Sequence, residues 1–595
     1  MTSEFSATYA VGIDLGTTNS VIAYSRLDEA GVQLLPIPQI VAPGTVETRH
    51  QLPSFLYLAA ENEAQNLALP WAPEGLDFAV GEFARRQSAD QPARTIAAAK
   101  SWLCHSKVDR RQPILPWGAP PEVPKISPVE ASRRYLAHLV AAWNHAFPDT
   151  PLAQQEVVLT VPASFDAAAR DLTREAALGA GLPQDFVLIE EPQAAVYAWL
   201  ADASDSWRKQ LVEGDTLLVC DIGGGTTDFT LVGATSENGE LVLKRIAVGN
   251  HILAGGDNMD LALAYGAQQK FAEQGVEVDA WQSVGLWHAC RTAKESLLAA
   301  DGPEKYPVTV LGRGRRLIGG TISVDLDRAE MSALLVEGFF PRCSIDAQPS
   351  RRRASGFREL GLPFETDTAI THHLAHFLSQ NGDGGTVKPT HLLFNGGVLK
   401  SAALQSRLLE VLGSWLETPP RLLLSGTHAE LDYAVARGAA YYAATKRGKG
   451  VRIRGGTARS YYVGIETSGP AIPGAPRPLR ALCVAPFGME EGTETEVPSG
   501  EIGLIVGEPA SFRFFNSTVR KQDRPGDVLA RWTEDELVES DSLETMLESA
   551  RDSEDGFVPV RFVSKLTELG VLEFWCESTI SDERWKLEFN VRGNG

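Results

Sequence analysis

Two apolar runs in this chain break at the same kind of turn. From Tyr9 the chain is apolar up to Asp14, turns through Gly16, Thr17 and Thr18, and resumes as "SVIAYSRL". From Thr216 it is apolar up to Asp221, turns through Gly223, Gly224, Gly225, Thr226 and Thr227, and resumes as "DFTLVGA". Each pattern predicts strand, tight turn, strand. Between them, "EVVLTVPASF" predicts a strand and "DAAARDLTREAALGAGL" an Ala-rich helix closed by Gly181. "DFVLIEEPQAAVYAWLAD" then predicts a strand, a Pro-marked turn and a helix. The same order follows the second turn and ends with the strand "THLLFNGG" and the helices "SAALQSRLLEVLGSWL" and "ELDYAVARGAAYYAATKR". Residues 1–444 therefore predict a duplicated, two-lobed α/β domain.

A polar, basic stretch at 445–456, "TKRGKGVRIRGG", reads as a linker. Beyond it the apolar period shortens to two. In "WKLEFNV", Trp585, Leu587, Phe589 and Val591 face one way, and Lys586, Glu588 and Asn590 the other. "VPVRFVSKLTELGVLEFWCES" predicts a hairpin turning near Gly570. Residues 457–595 thus read as a separate β-sandwich-like domain, and the acidic segment at 534–556 as a solvated helix or loop within it.

Composition narrows the partners. The chain has 595 residues, 44% apolar and 22% charged, and that length suggests about four compact units. A formal net charge of −21 argues against a general affinity for nucleic acid or anionic membrane. It leaves room for a phosphate ligand in a local site. The six cysteines are scattered without CxxC spacing, which indicates neither a zinc site nor a disulfide framework. The start, "MTSEFSATYA", lacks a basic region followed by an apolar one, and no apolar run is long enough for a bilayer. A reducing cytoplasm is the expected compartment.

The turns carry the candidate chemistry. Glycine there lets the backbone come close to a phosphate and point successive N–H groups at it, and the threonines add hydroxyl donors. Asp14 and Asp221 close their strands, where carboxylates can hold Mg²⁺ through its water shell. Either turn alone is an ordinary hairpin. The pair, in matching strand contexts, points to a triphosphate held from both sides.

These residues resemble the ATPase superfamily of actin, the sugar kinases and the seventy-kilodalton heat-shock chaperones, with the DnaK-like branch fitting best. "VGIDLGTTNSV" and "CDIGGGTTDFTLV" are similar to its two phosphate motifs, "LIEEPQAAVYAW" to a connecting segment, and "FNGGVLKSAALQSRLLEVL" to its adenosine motif. The resemblance implies ATP or ADP with Mg²⁺ as ligands. Thr17, Thr18, Gly223, Gly224, Gly225 and Thr226 would bind phosphates, Lys294, Gly396, Gly397 and Asp432 the nucleoside, and Asn19, Gly255 and Gly256 would also belong to the cofactor-binding set. Asp14, Glu191 and Asp221 would arrange the metal and its waters. Lys100 would stand beside the γ-phosphate and Asp228 would help orient or deprotonate the attacking water, so that Lys100, Asp228 and Glu191 form the catalytic set. Pro162 and Pro192 fall where the family couples nucleotide state to domain movement. The nucleoside end departs from the pattern: Arg291 replaces an acid, Glu295 a basic or apolar residue, and Asp257–Asn258 the usual Glu–Asp.

The implied function is an ATP-driven chaperone that binds extended or unfolded polypeptide, with a J-domain protein and a nucleotide exchange factor as partners. Two other classes compete: a small-molecule kinase of the same superfamily, and a scaffold in which ATP is only a conformational ligand for a dedicated partner. The family's C-terminal helical lid has no room after Val591, so a lidless member with weak coupling is expected. His372 and His376 lie one turn apart but lack a third ligand, and read as packing or surface residues. The stretch 339–364, with Arg351–Arg353, reads as a surface insertion or a docking loop.

Overall fold

The computed structural model describes residues 7–590, except 30, 61, 106–107, 164, 166, 238–239, 250–251, 300, 312–320, 351–364, 382–385, 425–430, 447–450, 452, 454–456, 458, 468–477, 518, 521, 534–535, 540–542, 547–556 and 568–570. The chain divides into two compact units, residues 1–452 and 453–595.

The first unit is built on two sheets of the same plan. In one, β1 (Tyr9–Leu15) pairs antiparallel with β2 (Asn19–Arg26) and parallel with β3 (Glu156–Val161), which pairs parallel with β4 (Val187–Glu190). In the other, β5 (Thr216–Ile222) pairs antiparallel with β6 (Thr227–Glu237) and parallel with β8 (His391–Asn395), flanked by β7 (Glu240–Val248) and β9 (Arg421–Leu423). The order is β4-β3-β1-β2 with Gln33–Leu34 at the edge, and β7-β6-β5-β8-β9. Both central strands are buried almost throughout, as their unbroken apolar runs require in a sheet covered on both faces. The Ala-rich helix forms over Ala167–Gly179, and Gly181 follows it at φ +97°.

Six helices matter for the site: α1 (Glu82–Asp90), α2 (Ala99–Trp102), α3 (Glu191–Ala203), α4 (Gly256–Glu273), α5 (Ala280–Leu298) and α6 (Leu431–Thr445). Helices α3 and α6 pack on each other; α6 also covers β1, β2 and β3, while α3 touches β5, β6 and β8. Small residues permit this. A Cβ on Gly12 of β1 would lie 2.8 Å from the Ala439 carbonyl carbon, inside the backbone of α6. The two lobes are therefore one compact unit, and the length-based expectation of about four units fails for that reason.

In the second unit, β10 (Ser460–Glu466), β11 (Leu479–Ala485) and β13 (Phe514–Ser517) form one sheet, edged by Val528–Leu529 and Val538–Glu539. The other sheet runs in the order β12 (Thr493–Ile505), β14 (Phe557–Leu566), β15 (Val571–Ser578), β16 (Arg584–Asn590). Val463, Leu482 and Phe514 of the first share a core with Val497, Phe562, Phe574 and Leu587 of the second. The expectation of a solvated helix or loop at 534–556 is corrected in its described part. Val538–Glu539 pairs with β13, and Leu543–Met546 pairs with Pro509–Phe512. Arg513 donates two hydrogen bonds of 2.6 Å to Glu539, so a charged side chain there reinforces strand pairing.

Candidate functional site

The turn after β1 and the turn after β5 face each other across a cavity of about 1060 Å³ in the first unit. Thr17, Thr18 and Asn19 line it from one side, and Gly223, Gly224 and Thr226 from the other. The loops interlock closely. A Cβ on Gly224 would overlap the Thr18 hydroxyl, and one on Gly255 would lie 2.7 Å from the carbonyl oxygens of Gly223 and Gly224. Gly256 and Asp257 donate from their amides to Gly223 O (3.0 Å) and Gly224 O (2.7 Å), which docks the start of α4 under the second turn. Asn258 accepts from the Gly255 amide at 3.0 Å and fixes that approach.

The carboxylates gather where the two central strands end. Asp14 sits opposite Thr160 in the β1–β3 register, and the Thr160 hydroxyl donates to it at 3.1 Å. Asp221 sits opposite Asn395 on β8 and Asp228 on β6, the same arrangement with one acid added. Burial raises the pKa of Asp14, with Glu191 adding to the effect and Lys100 opposing it. Burial likewise raises that of Asp221, with the charges of Glu191 and Asp228 adding and the Asn395 hydrogen bond opposing. Asp221 Oδ2 is buried without a hydrogen-bond partner among the described residues. Lys100 on α2 lies behind the cavity wall, 5% exposed, in an ion pair with Glu191 at the first position of α3. Burial opposes its charge, but Glu191 and Asp14 outweigh burial and raise its pKa. The chain thus holds a buried ammonium against clustered carboxylates, a placement that suits charge developing on a phosphoryl group.

Lys294, Gly396, Gly397 and Asp432, the residues expected beside a nucleoside, all line the cavity. Lys294 donates to Gly256 O at 2.8 Å and pairs with Asp260. Gly396 adopts φ +86°, and a Cβ there would lie 2.8 Å from Asp221 Oδ1, which ties this turn to the carboxylate cluster. Lys400, three residues after Gly397, pairs with Asp432 at 2.6 Å. Arg291 is buried, with Nη2 2.5 Å from Asp257 Oδ1 and Nε 2.9 Å from Asp260 Oδ2. Arg85 of α1 reaches within 4.0 Å of Glu295 on α5, and Phe55 lies 5.9 Å from the His288 ring, so the rim also joins the lobes. Arg49, Phe55, Glu82, Arg85 and Arg328 line the cavity without any motif that pointed to them. They come from loops and helices far apart in sequence, and only the tertiary fold brings them together.

Other expectations resolve simply. His372 Nδ1 lies 2.9 Å from Asp367 Oδ2, and His373 Nε2 lies 2.9 Å from Asp367 O. Among the described residues no three His, Cys, Asp or Glu side chains are close enough to ligate a metal ion directly. The Arg351–Arg353 cluster lies outside the described residues; within the same stretch, Arg342 pairs with Glu410 at 2.7 Å. Among the described residues no helix is long and apolar enough to cross a membrane.

Comparison with known proteins finds likeness over part of the chain. The family model described as "Hsp70 protein" matches residues 70–346. The chain is 31% identical over 304 residues to the "Chaperone protein HscA homolog" of Pseudoalteromonas atlantica, covering 49% of this chain and 42% of that one. It is 32% identical over 267 residues to the "Chaperone protein HscA" of Enterobacter sp., covering 43% and 37%. With the Shewanella baltica "Chaperone protein HscA homolog" the identity is 29% over 347 residues, covering 56% and 48%. The chain therefore spans less than half the length of these relatives.

Proposed function

We propose that the chain belongs to the Hsp70 family, whose model matches residues 70–346, and that it is an ATP-dependent chaperone. Residues 1–444 bind and slowly hydrolyse ATP, and through the 445–456 linker the nucleotide state sets the affinity of residues 457–595 for extended polypeptide. A J-domain protein and a nucleotide exchange factor are the proposed partners, and the cytoplasm the proposed compartment. The observation that carries the reading is the buried Lys100–Glu191 pair beside Asp14 and Asp221, at the end of a cavity lined by both Gly–Thr turns.

The residues suit the ligands. The unpartnered Asp221 Oδ2 and the glycine cradle at Gly224 and Gly255 fit a hydrated Mg²⁺ and a polyphosphate. Asp14, Glu191 and Asp221 would hold the ion through its waters, where it neutralises charge on the phosphate oxygens. Thr17, Thr18 and Thr226 donate to those oxygens. Lys100 places positive charge where the transition state gathers negative charge, and Asp228 orients the attacking water. Lys294, Gly396, Gly397 and Asp432 border the nucleoside.

Single-turnover hydrolysis tests the reading. Lys100→Ala keeps Mg·ATP binding near wild type while hydrolysis falls by about 10²–10³-fold, because the charge acts mainly on the transition state. Unchanged turnover would refute the lysine assignment. Binding without turnover in the wild-type protein would favour the scaffold reading.

A further inference from the structure

Ser101 follows Lys100 on α2, and the residue is 3% exposed. Its hydroxyl has no hydrogen-bond partner among the described residues. A Cβ built on Gly225 would lie 2.8 Å from Ser101 Oγ and 3.3 Å from Thr17 Oγ1. Two hydroxyls of the first lobe thus converge on the middle of the second lobe's Gly–Thr turn, both on the side of Gly225 where a Cβ would project. The chain presents Ser101 there at a cost, since Ala98 enters α2 with a left-handed backbone at φ +54°. A buried, unpaired hydroxyl also lowers stability, because its hydrogen bonds to water are lost on folding and not replaced. Alanine would fill the same space without that loss.

We propose that Ser101 is a terminal-phosphate binding residue: its hydroxyl donates a hydrogen bond to a γ-phosphate oxygen seated at Gly225, beside the Lys100 ammonium. The inference rests on the nucleotide reading above and adds a residue to it. Serine keeps its proton throughout, so the contribution is binding and orientation of the terminal phosphoryl group. ADP, which lacks that group, does not engage the hydroxyl.

The test compares the full chain with Ser101→Ala in three measurements: affinity for the β,γ-imido analogue of ATP with Mg²⁺, affinity for Mg·ADP, and thermal unfolding without nucleotide. Ser101→Ala is expected to bind the ATP analogue about tenfold more weakly, equivalent to about 1.4 kcal/mol. ADP affinity stays at the wild-type level, and the nucleotide-free protein melts at the same temperature or higher. Wild-type affinity for both nucleotides would overturn the proposal. So would a parallel loss for both with a lower melting temperature, which would mark Ser101 as a packing residue. If the wild-type chain binds neither nucleotide, the nucleotide reading itself falls and this inference with it. That outcome is distinct, because the other two require a wild-type protein that binds.

Discussion

Replacing Gly438 with alanine should destabilise the first unit, although the same change usually stabilises a helix. Gly438 lies inside α6, where alanine would gain about 1 kcal/mol of helix propensity. Its Cβ would overlap the carbonyl oxygen of Ala194 on α3, and lie 2.7 Å from the Ala194 carbonyl carbon and 2.8 Å from Ala198 N. These are backbone atoms, so no rotamer change can relieve the clash. Restoring ordinary contact requires the helices to part by roughly 0.5–1 Å, which forfeits a quarter to a half of each dispersion contact along the seam. Overpacking costs about 1–3 kcal/mol, and a clash with backbone that no rotamer relieves falls at the upper end, about 3 kcal/mol, so after the gain of about 1 kcal/mol in propensity the net change is a loss of about 2 kcal/mol. Gly266 supplies the control. It too sits inside a helix, α4, but a Cβ there meets nothing within 4 Å. Gly266→Ala should therefore raise the urea midpoint of the first unit while Gly438→Ala lowers it, both followed by tryptophan fluorescence. Midpoints rather than extrapolated free energies are compared, because a chain of two units need not unfold in one step. Shifts of the same sign and size in both variants would refute the packing argument. The two outcomes cannot be confused, since the substitution is chemically identical.

Asp221→Asn should weaken Mg·ATP binding in a way that added Mg²⁺ partly restores, whereas Gly224→Val should lose binding at every Mg²⁺ concentration, because a side chain there would overlap the Thr18 hydroxyl; titration of both variants with nucleotide checks this. Glu190 is buried against Arg245 at 3.2 Å and Arg170 at 3.7 Å, so Glu190→Gln should cost about 3–5 kcal/mol by removing the carboxylate charge that both guanidinium groups face. The Glu190→Gln, Arg245→Gln double variant should recover part of that loss in denaturant titration. Burial pulls the pKa of His138 down to about 4 from its ordinary 6.5, outweighing its hydrogen bond to Pro38 O. Above 6.5 both states are neutral; as the pH falls below it the unfolded chain takes up a proton that the folded chain refuses, so stability drops by about 1.4 kcal/mol per pH unit. His138→Asn should flatten the wild-type decline between pH 6.5 and pH 5.

The elements most legible in the sequence were those set by local pattern. The two Asp–Gly–Thr turns fell between strands because an apolar run, a glycine and polar residues must alternate that way, and the register then placed Asp14 and Asp221 at matching strand ends. The helix Ala167–Gly179 and its stop at Gly181 were equally local. What sequence pattern missed depended on long-range packing. Glu82 and Arg85 carry no motif and reach the cavity through α1, which packs against α5, and Arg49 reaches it from the end of the strand Thr45–Arg49. Ser101 carries no signal in the sequence, since an unpaired hydroxyl is a property of its surroundings. The acidic segment near 538 misled because Glu and Asp favour solvated structure, whereas Glu539 earns its place in a strand through Arg513.

The surroundings of Arg291 show how departures read singly from sequence can be one structural event. Arg291 in place of an acid and Asp257 in place of a glutamate looked like two losses of pattern. In the fold they are partners, 2.5 Å apart, and Asp260 joins Arg291 to Lys294. Burial disfavours the Arg291 charge, but Asp257 and Asp260 outweigh it and raise its pKa, while burial raises Asp257 and Arg291 draws it back. Two cations and two carboxylates balance within the group. A cation substituted alone at this depth would have been costly, and the carboxylates beside it make it tolerable. A neutral, internally paired group offers a nucleoside little net charge to select on. On the proposed nucleotide reading, discrimination would then fall to the part of the cavity lined by Thr17 and Thr18 together with Asp14, Glu191 and Asp221.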